Sequence, residues 1–570
     1  MKTKRWNKII VSLLAASLMA TTPVLANGSA VQQEQAQVMP MEMKQELSAK
    51  AKQGLDKLYQ LVPELKNLEV KFQNLMPANE WSPAVWSIQM DNLPENGRPE
   101  VGGLFSHAYI ELLADSGELR SFSMNVPSWT SKKAPTESLA RKKAQEFLEG
   151  VWGKERLEKY QQSSQFYMGQ HGSADENGNK LEWTTGGVQY ERLINDIPYL
   201  GENITIDIDQ AGHVHNFYSN IQANLDESKF PAPLKAISKA DAEKAFLKNL
   251  NMELVYSGQQ PVGKWAVASN QKMETRTVLK YEPTWLAQID AVTGKATDTY
   301  YHAPKKQTVN VQAGGQKLKV QSLEDAKKFF KDTFGVDLSN LQVEQSTEDD
   351  HPYGDYSLVN YHFHPDYSVP QEQPMRYATI TVNKKTSEVV YAYIQDEARM
   401  GKKAVISEEE AIKKGVDFLQ TYVQSDVKEA DLQVFAPHKM EDNIPAWVDK
   451  SKLGEQRMDP APEYHLTVRE HHNGIPVEDR FYSVTVDAVT GKISGVGLPL
   501  DAKRVELPEA KNVITSEQAA DAYLKKFPLK LAYIWEDYMG QKAPKPQLIY
   551  IPTYPDGAYY IDALTGKVEE

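Results

Sequence analysis

The feature that most restricts how this chain can fold is a short phrase that returns three times. Asp290-Ala-Val-Thr-Gly294-Lys295, Asp487-Ala-Val-Thr-Gly491-Lys492 and Asp562-Ala-Leu-Thr-Gly566-Lys567 each follow an alternating apolar stretch and lead into another. Asp accepts hydrogen bonds from its own following backbone, and Gly tolerates the positive φ that a tight reversal needs. Each phrase therefore predicts a β-hairpin. Looser versions at Asp115-Ser-Gly117-Glu118, Asp209-Gln-Ala-Gly212-His213 and Asn383-Lys-Lys-Thr386-Ser387-Glu388 bring the expected number of hairpins to six.

Between the hairpins, Ala, Leu and Phe recur at three- and four-residue spacing. That period predicts helices over 46–61, 139–151, 239–250, 323–334, 408–422 and 517–527. Ser238, Ser322, Ser407 and Ser516 stand where N-caps belong. The expected unit is one helix followed by an antiparallel meander, an α+β design.

A longer repetition lies on top of this one. Ala140 and Phe147 match Ala411 and Phe418; Ile237, Leu247 and Tyr256 match Ile514, Leu524 and Tyr533; Asp290 matches Asp562; and Asn195-Asp-Ile-Pro198 matches Asn473-Gly-Ile-Pro476. The expected architecture is thus tandem repeats of one helix packed on a small antiparallel sheet, six units in two modules of three. The modules are 41–303 and 311–570, divided by the polar linker 304–310. Residues 27–40, Gln-rich and poor in apolar side chains, read as a disordered leader.

The N-terminus carries Lys2, Lys4, Arg5 and Lys8, an apolar run from Ile9 to Met19, and small residues before Ala26. This pattern is a secretory signal peptide, 1–26, whose apolar run is too short to span a bilayer. Its removal takes the formal charge from −13 to −17, because the segment holds four cationic residues and no acids. Lys and Arg are scattered and outnumbered, so nucleic acid is excluded as a partner. The absence of cysteine excludes disulfides, thiolate metal sites, Cys nucleophiles and a lipid anchor on cysteine. With no second span-length apolar segment, no membrane insertion is expected after cleavage, and the chain is expected to be secreted or to sit in a bacterial cell envelope.

Two longer phrases carry a family resemblance. Tyr190-Glu-Arg-Leu-Ile-Asn-Asp-Ile-Pro-Tyr199 leads to Ile204-Thr-Ile-Asp-Ile-Asp209, and Tyr464-His-Leu-Thr-Val-Arg-Glu-His-His-Asn-Gly-Ile-Pro-Val477 leads to Val484-Thr-Val-Asp487. Both resemble the "N-G-I-P-V then V-x-V-D" pattern of the propeptides of thermolysin-like and fungalysin-like metallopeptidases. The Asp-x-x-Thr-Gly-Lys hairpins are similar to the end of a PepSY domain, and the tandem arrangement resembles exported bacterial YcdB/YcdC-repeat proteins. The resemblance implies PepSY/cystatin-like units, and the binding or restraint of peptidases. No catalytic domain follows Lys567, so the chain is expected to lack a peptidase in cis.

A search for chemistry finds little. His-Glu-x-x-His, which would place two imidazoles and a carboxylate around one zinc ion, does not occur. In Arg469-Glu470-His471-His472 the adjacent His side chains should project to opposite sides of a strand, as part of an exposed hairpin approach. His213 with His215, and His362 with His364, share a face at i and i+2. Each pair could hold zinc if an acid joined it from another strand, but the bland reading, polar residues on a wet face, outweighs it. The oxygen-rich loops at 175–179 and 348–355 lack EF-hand spacing. Gly-x-Ser-x-Gly and the phosphate-binding Gly-x-x-x-x-Gly-Lys-Ser/Thr loop are absent. The 77 acids offer many carboxylate pairs for glycoside hydrolysis and the sequence does not reveal which face each other, but no unit diverges into a distinctive catalytic segment. No catalytic residue, cofactor or metal ligand is therefore assigned. Trp285 and Trp535 read as core, whereas Trp81, Trp86 and Trp129 lie among Pro, Ser and Asn and read as exposed.

The expected function is that of an exported non-enzymatic protein-interaction module. Its partner would be a polypeptide such as an extracellular peptidase, bound along a sheet edge beside Asn195, Asp196, Ile197 and Pro198 and beside Asn473, Gly474, Ile475 and Pro476. The alternatives are a structural or cell-wall-associated envelope protein in contact with glycan, and an enzyme with an unrecognised site.

Overall fold

The computed structural model describes residues 44–569 apart from 79–82, 94–104, 175–179, 222–224, 262–274, 298–304, 349–356, 368–373, 439–443, 454–458, 501–505 and 554–558. The expected signal peptide and leader, Trp81, the loop at 175–179 and nearly all of the loop at 348–355 lie outside the described residues.

The first half of the chain runs α1 (Ala49–Leu61), β1 (Glu69–Met76), β2 (Val85–Asp91), β3 (His107–Leu113), β4 (Leu119–Asn125), α2 (Glu137–Trp152), α3 (Lys154–Leu157), β5 (Tyr160–Ala174), β6 (Lys180–Ile194), β7 (Ile197–Ile208) and β8 (Val214–Ser219). It continues with α4 (Lys239–Asn249), β9 (Asn251–Pro261), β10 (Thr275–Trp285), β11 (Gln288–Asp290) and β12 (Ala296–Thr297). The second half runs β13 (Lys305–Asn310), α5 (Leu323–Phe329), β14 (Gln342–Glu348), β15 (Leu358–His364), β16 (Arg376–Asn383), β17 (Val389–Asp396), α6 (Glu408–Gln420), β18 (Glu429–Phe435), β19 (Glu463–His472), β20 (Ile475–Asp487) and β21 (Ile493–Gly497). It ends with α7 (Ser516–Lys526), β22 (Leu529–Ile534), the short ribbon β23 (Asp537–Tyr538) and β24 (Gln541–Lys542), then β25 (Gln547–Pro552), β26 (Tyr560–Asp562) and β27 (Val568–Glu569).

Local chemistry accounts for these elements. Ser238, Ser322 and Ser407 accept the N–H of Asp241, Asp325 and Glu410, satisfying donors that a helix start leaves open. At α7 the cap is Thr515 rather than Ser516, because Gln518 reaches back to the Thr515 backbone and closes a capping box. The helical period predicted to reach 334 changes at Phe330, where a π turn carries the chain to Phe334 and Gly335 stops it at φ 70°. The Asp hairpins are built alike: Asp290 Oδ1 accepts the N–H of Val292 (3.0 Å) and Thr293 (2.6 Å) and the Thr293 hydroxyl (2.8 Å). Asp562 does the same for Leu564 and Thr565. Gly294, Gly491 and Gly566 all adopt φ near +70°.

The protein is mixed α+β and mostly sheet. Among the described residues the strands lie in two wide sheets and the β23–β24 ribbon. The first sheet runs β1-β2-β3-β4-β8-β7-β22-β25-β11-β12, with β6 and β5 branching from β7. The second runs β14-β15-β16-β17-β21-β20-β9-β10-β26-β27, with β19, β18 and β13 branching from β20. Residues 305–310, read from the sequence as part of a linker, are the edge strand β13, paired with β18 from Lys305↔Val434 to Asn310↔Glu429. Alternating Val, Leu and Ala along β18 make a regular ladder available there.

The two expected modules do not stay separate. Hairpin β9–β10 of the first half joins the second sheet, where β10 pairs with β26 (Lys280↔Asp562, Tyr281↔Ile561). Hairpin β22–β25 of the second half joins the first sheet, where β25 pairs with β11 (Ile289↔Tyr550, Asp290↔Ile549). The halves thus exchange one hairpin each. Two cores lie within single halves, one over residues 51–217 and one over 320–496, but a third is common property. It unites Tyr199, Phe230, Ala242, Phe246 and Tyr256 with Val477, Ala519, Tyr523, Tyr533 and Trp535. Fully burying one such side chain contributes roughly 1.5–3 kcal/mol, so this shared core binds the halves strongly.

Candidate functional site

The eight residues expected to border a partner sit at the tips of two hairpins. Asn195 and Asp196 turn β6 into β7 with φ of 51° and 61°, and Asn473 and Gly474 turn β19 into β20 with φ of 52° and 77°. Two consecutive positive φ values match the right-handed twist of the strands, which explains the Asn-Asp and Asn-Gly choices. Ile197 and Ile475 pair back onto Ile194 and His472, and Pro198 and Pro476 onto Leu193 and His471.

The strand edges beside these turns are not open. β7 carries β22 in parallel at Tyr199↔Tyr533, and β20 carries β9 in parallel at Val477↔Tyr256. The reason is the exchange: β8 and β21 cover only the later parts of β7 and β20, and the arriving hairpins fill the remainder. Asn195 Nδ2 donates to Tyr533 Oη (3.3 Å), which donates to the Pro231 carbonyl (2.5 Å). Beside the Asn473 turn the Tyr256 hydroxyl donates to the Pro508 carbonyl (2.9 Å), and the His472 ring meets Tyr256 edge-on at 5.4 Å. The chain itself occupies the position expected for a partner.

Arg469 and Glu470 are buried and His471 half-buried rather than on an exposed approach, because β18 and β20 flank them and Glu253 of β9 reaches Arg469. Arg469 Nη2 lies 2.6 Å from Glu253 and 3.4 Å from Asp431, and His471 Nε2 lies 2.9 Å from Asp431. Burial pushes the Asp431 carboxyl up, but His471 and Arg469 more than offset that and hold it below its ordinary value. His471 and His472 do face opposite sides of the strand, one toward Asp431 and the other toward Tyr256.

His213 and His215 belong to a largely buried polar cluster of the first half. His215 is 1% exposed, not on a wet face, since it shares its side of β8 with Phe217. The acid that joins the pair comes from the hairpin turn itself. Asp209 Oδ2 lies 2.7 Å from His213 Nδ1 and 3.4 Å from His215 Nε2, and Asp209 Oδ1 accepts the N–H of Ala211 and His213. Burial pushes the Asp209 carboxyl up, yet hydrogen bonds from His215 and His213 outweigh it and bring it to about 2. Trp129 stacks flat on His213 at 4.2 Å, and Trp183 stacks on His215 at 6.1 Å and on His171 at 5.4 Å. Burial holds the His171 imidazole below its ordinary value.

The second half solves the same problem with a permanent cation. Asp487, fully buried at the equivalent turn, meets Arg399 Nε at 3.3 Å, and Arg399 also approaches Glu463 (3.8 Å). Arg399 closes a short turn after β17, as Trp129 closes one after β4. Burial and the adjacent Glu463, which accepts from its hydroxyl at 2.9 Å, hold the Tyr393 phenol well above the ordinary range.

His362 and His364 form no such cluster: His362 bonds Thr379, while His364 stacks on Tyr367 at 5.2 Å and has the exposed Glu344 of β14 at 3.7 Å. Among the described residues no group of three or more His, Cys, Asp or Glu side chains is placed to hold a metal ion, and no helix is long and apolar enough to cross a membrane. Trp535 lies in the shared core and Trp285 packs against it, while Trp86, expected on the surface, is buried beside Ile88 and Met90. Trp129 is half-buried, held by the histidines. Sequence reasoning missed Arg399 and the role of Trp129; the signal for Asp209 was present, four residues before His213 in its own hairpin phrase.

No protein-family model matches the sequence, and no curated protein does. Among solved structures the chain is similar to the Bacillus megaterium YpeB C-terminal domain, at 15% identity over 45% of this chain and 97% of that one, with a TM-score of 0.24. A likeness of that size carries no argument about activity.

Proposed function

We propose that the chain is an exported, non-enzymatic binding scaffold made of six PepSY-like units in two modules of three, and that it engages another polypeptide, such as an extracellular peptidase, by strand addition. The observation that carries this reading is the edge strand β14. Among the described residues its backbone, Gln342–Glu348, ladders with β15 on one side only, and six of its seven residues are exposed. The corresponding edge at β1 is already covered by the chain, through the Lys44↔Gln73 bridge and the Gln45 side chain bonded to the Leu75 N–H. An uncovered edge presents a row of backbone donors and acceptors to an extended segment. The edges beside Asn195 and Asn473, being filled in cis, are excluded from this role.

The test is retention of secreted peptidases by immobilised 27–570, repeated with Gln345→Pro and Ser346→Pro, which remove a donor on each phase of β14. Binding that one of the two abolishes supports the reading; no retention, or retention indifferent to both, refutes it. A second reading, contact with cell-wall glycan, is favoured by the open face of the sheets, where Tyr218 is 46% and Tyr391 38% exposed. Sedimentation with peptidoglycan, lost in Tyr218→Ala and Tyr391→Ala, would favour it over the first.

A further inference from the structure

The two exchanged hairpins occupy equivalent seats but meet opposite chemistry. Where β22 docks, Lys530 pairs with Glu191 at 3.1 Å. Where β9 docks, the residue matching Lys530 is Glu253, and the residue matching Glu191 is Arg469, 2.6 Å away. The pair is kept and its polarity is reversed. Lys306 adds a second cation at 3.0 Å from Glu253.

The second strand of each hairpin repeats the contrast in another form. Lys280 on β10 is buried and bonded to Glu478 of β20 (2.7 Å) and to Glu282 (3.1 Å). At the other seat the matching positions are Ile549, Leu200 and Ile551, which pack with Ala532 and Ile534 into a small apolar cluster. One junction is ionic and the other oily.

We infer that these side chains form a recognition code that rejects each hairpin from its own half and admits it to the other. Docked at home, β9–β10 would set Glu253 against Glu191 and bury Lys280 against Leu200. β22–β25 would set Lys530 against Arg469 and Lys306, and cover Glu478 with Ile549. Like charges facing each other, the loss of Glu478 as a partner of Lys280, and a carboxylate covered by apolar side chains all disfavour that arrangement, which is how specificity between similar partners is commonly secured. The backbone agrees with the code. β10 passes into β11 through Leu286 and Ala287, neither of which has the positive φ found at Asn195 and Asp196, so the chain does not fold back on itself there.

The test uses the full chain with a protease recognition sequence placed within 298–304 and cut after folding. The two fragments are expected to co-elute as one particle of the intact mass, 64.3 kDa with the N-terminus retained. Lys530→Glu should speed their separation in urea by roughly tenfold or more, and adding Glu191→Lys, which restores an opposite-charge pair at that seat, should return it to the original rate. Fragments of the unaltered chain that part on cleavage would overturn the exchange. A Lys530→Glu variant that separates no faster, or a double variant that fails to recover, would overturn the code.

Discussion

Replacing Asp209 by Asn removes the one charge at the centre of the His213, His215 and Trp129 cluster while keeping its shape. In the folded protein the Asp209 carboxyl titrates at about 2, below an ordinary value of 3.8. A folded pKa below the unfolded one means that folding favours the ionised form. The stabilisation is therefore complete above about pH 4 and is lost as pH falls toward 2. At 1.36 kcal/mol per pKa unit, the difference is worth about 2 kcal/mol near neutrality. The Asn variant should thus be less stable by about 2 kcal/mol at pH 7, with hydrogen bonds from Ala211 and His213 to Oδ1 retained. As pH drops the native protein loses what the variant never had, so the gap should shrink to well under about 1 kcal/mol at pH 2. Urea unfolding of both proteins from pH 7 to 2, at matched slopes, measures it. A gap that is constant across this range, or absent at pH 7, would refute the assigned role of Asp209.

Arg399→Met should cost about 3–5 kcal/mol, more than any histidine substitution in the first cluster, because it leaves Asp487 and Glu463 buried without their cation; thermal unfolding of Arg399→Met beside His213→Ala checks the ranking. Phe230→Ala should cost about 3–5 kcal/mol, since this 6% exposed ring meets Tyr199, Tyr533 and Trp535 edge-on at 5.2, 5.1 and 5.6 Å. Because those three rings come from both halves, the loss should appear in calorimetry as a lowered transition for the whole protein, not for one part.

The helices and turns were legible because their causes are local. α2 buries Ala140, Ala144, Phe147 and Leu148 at helical spacing, and the Asp-x-x-Thr-Gly phrase contains every group that closes its own turn. Trp86 was misread because its Ser and Pro neighbours masked a Trp-x-Ile-x-Met alternation into the core. His215 was misread because Phe217, two residues on, was not used to set the face of β8. The hairpin exchange could not be seen from periodicity at all. Strand β10 shows the same alternation whether it pairs with β11 or with β26, and the choice lies in side chains more than 200 positions away, Glu253 to Arg469 at 216 and Tyr281 to Ile514 at 233. The filled edges at Asn195 and Asn473 follow from that choice, which is why they were expected to be vacant.

The crossed hairpins also set an order on assembly. The seat beside Tyr199 waits for Tyr533, and the bonds that close it, Tyr533 to Pro231 and Lys530 to Glu191, span 302 and 339 residues. A chain must therefore extend past Tyr533 before its third core can seal, and a polypeptide stopped short of that point would display unsealed strand edges along both sheets. Arrival of β22–β25 is thus a closing step of folding, and a chain cut short before it is an adhesive species rather than a smaller working one.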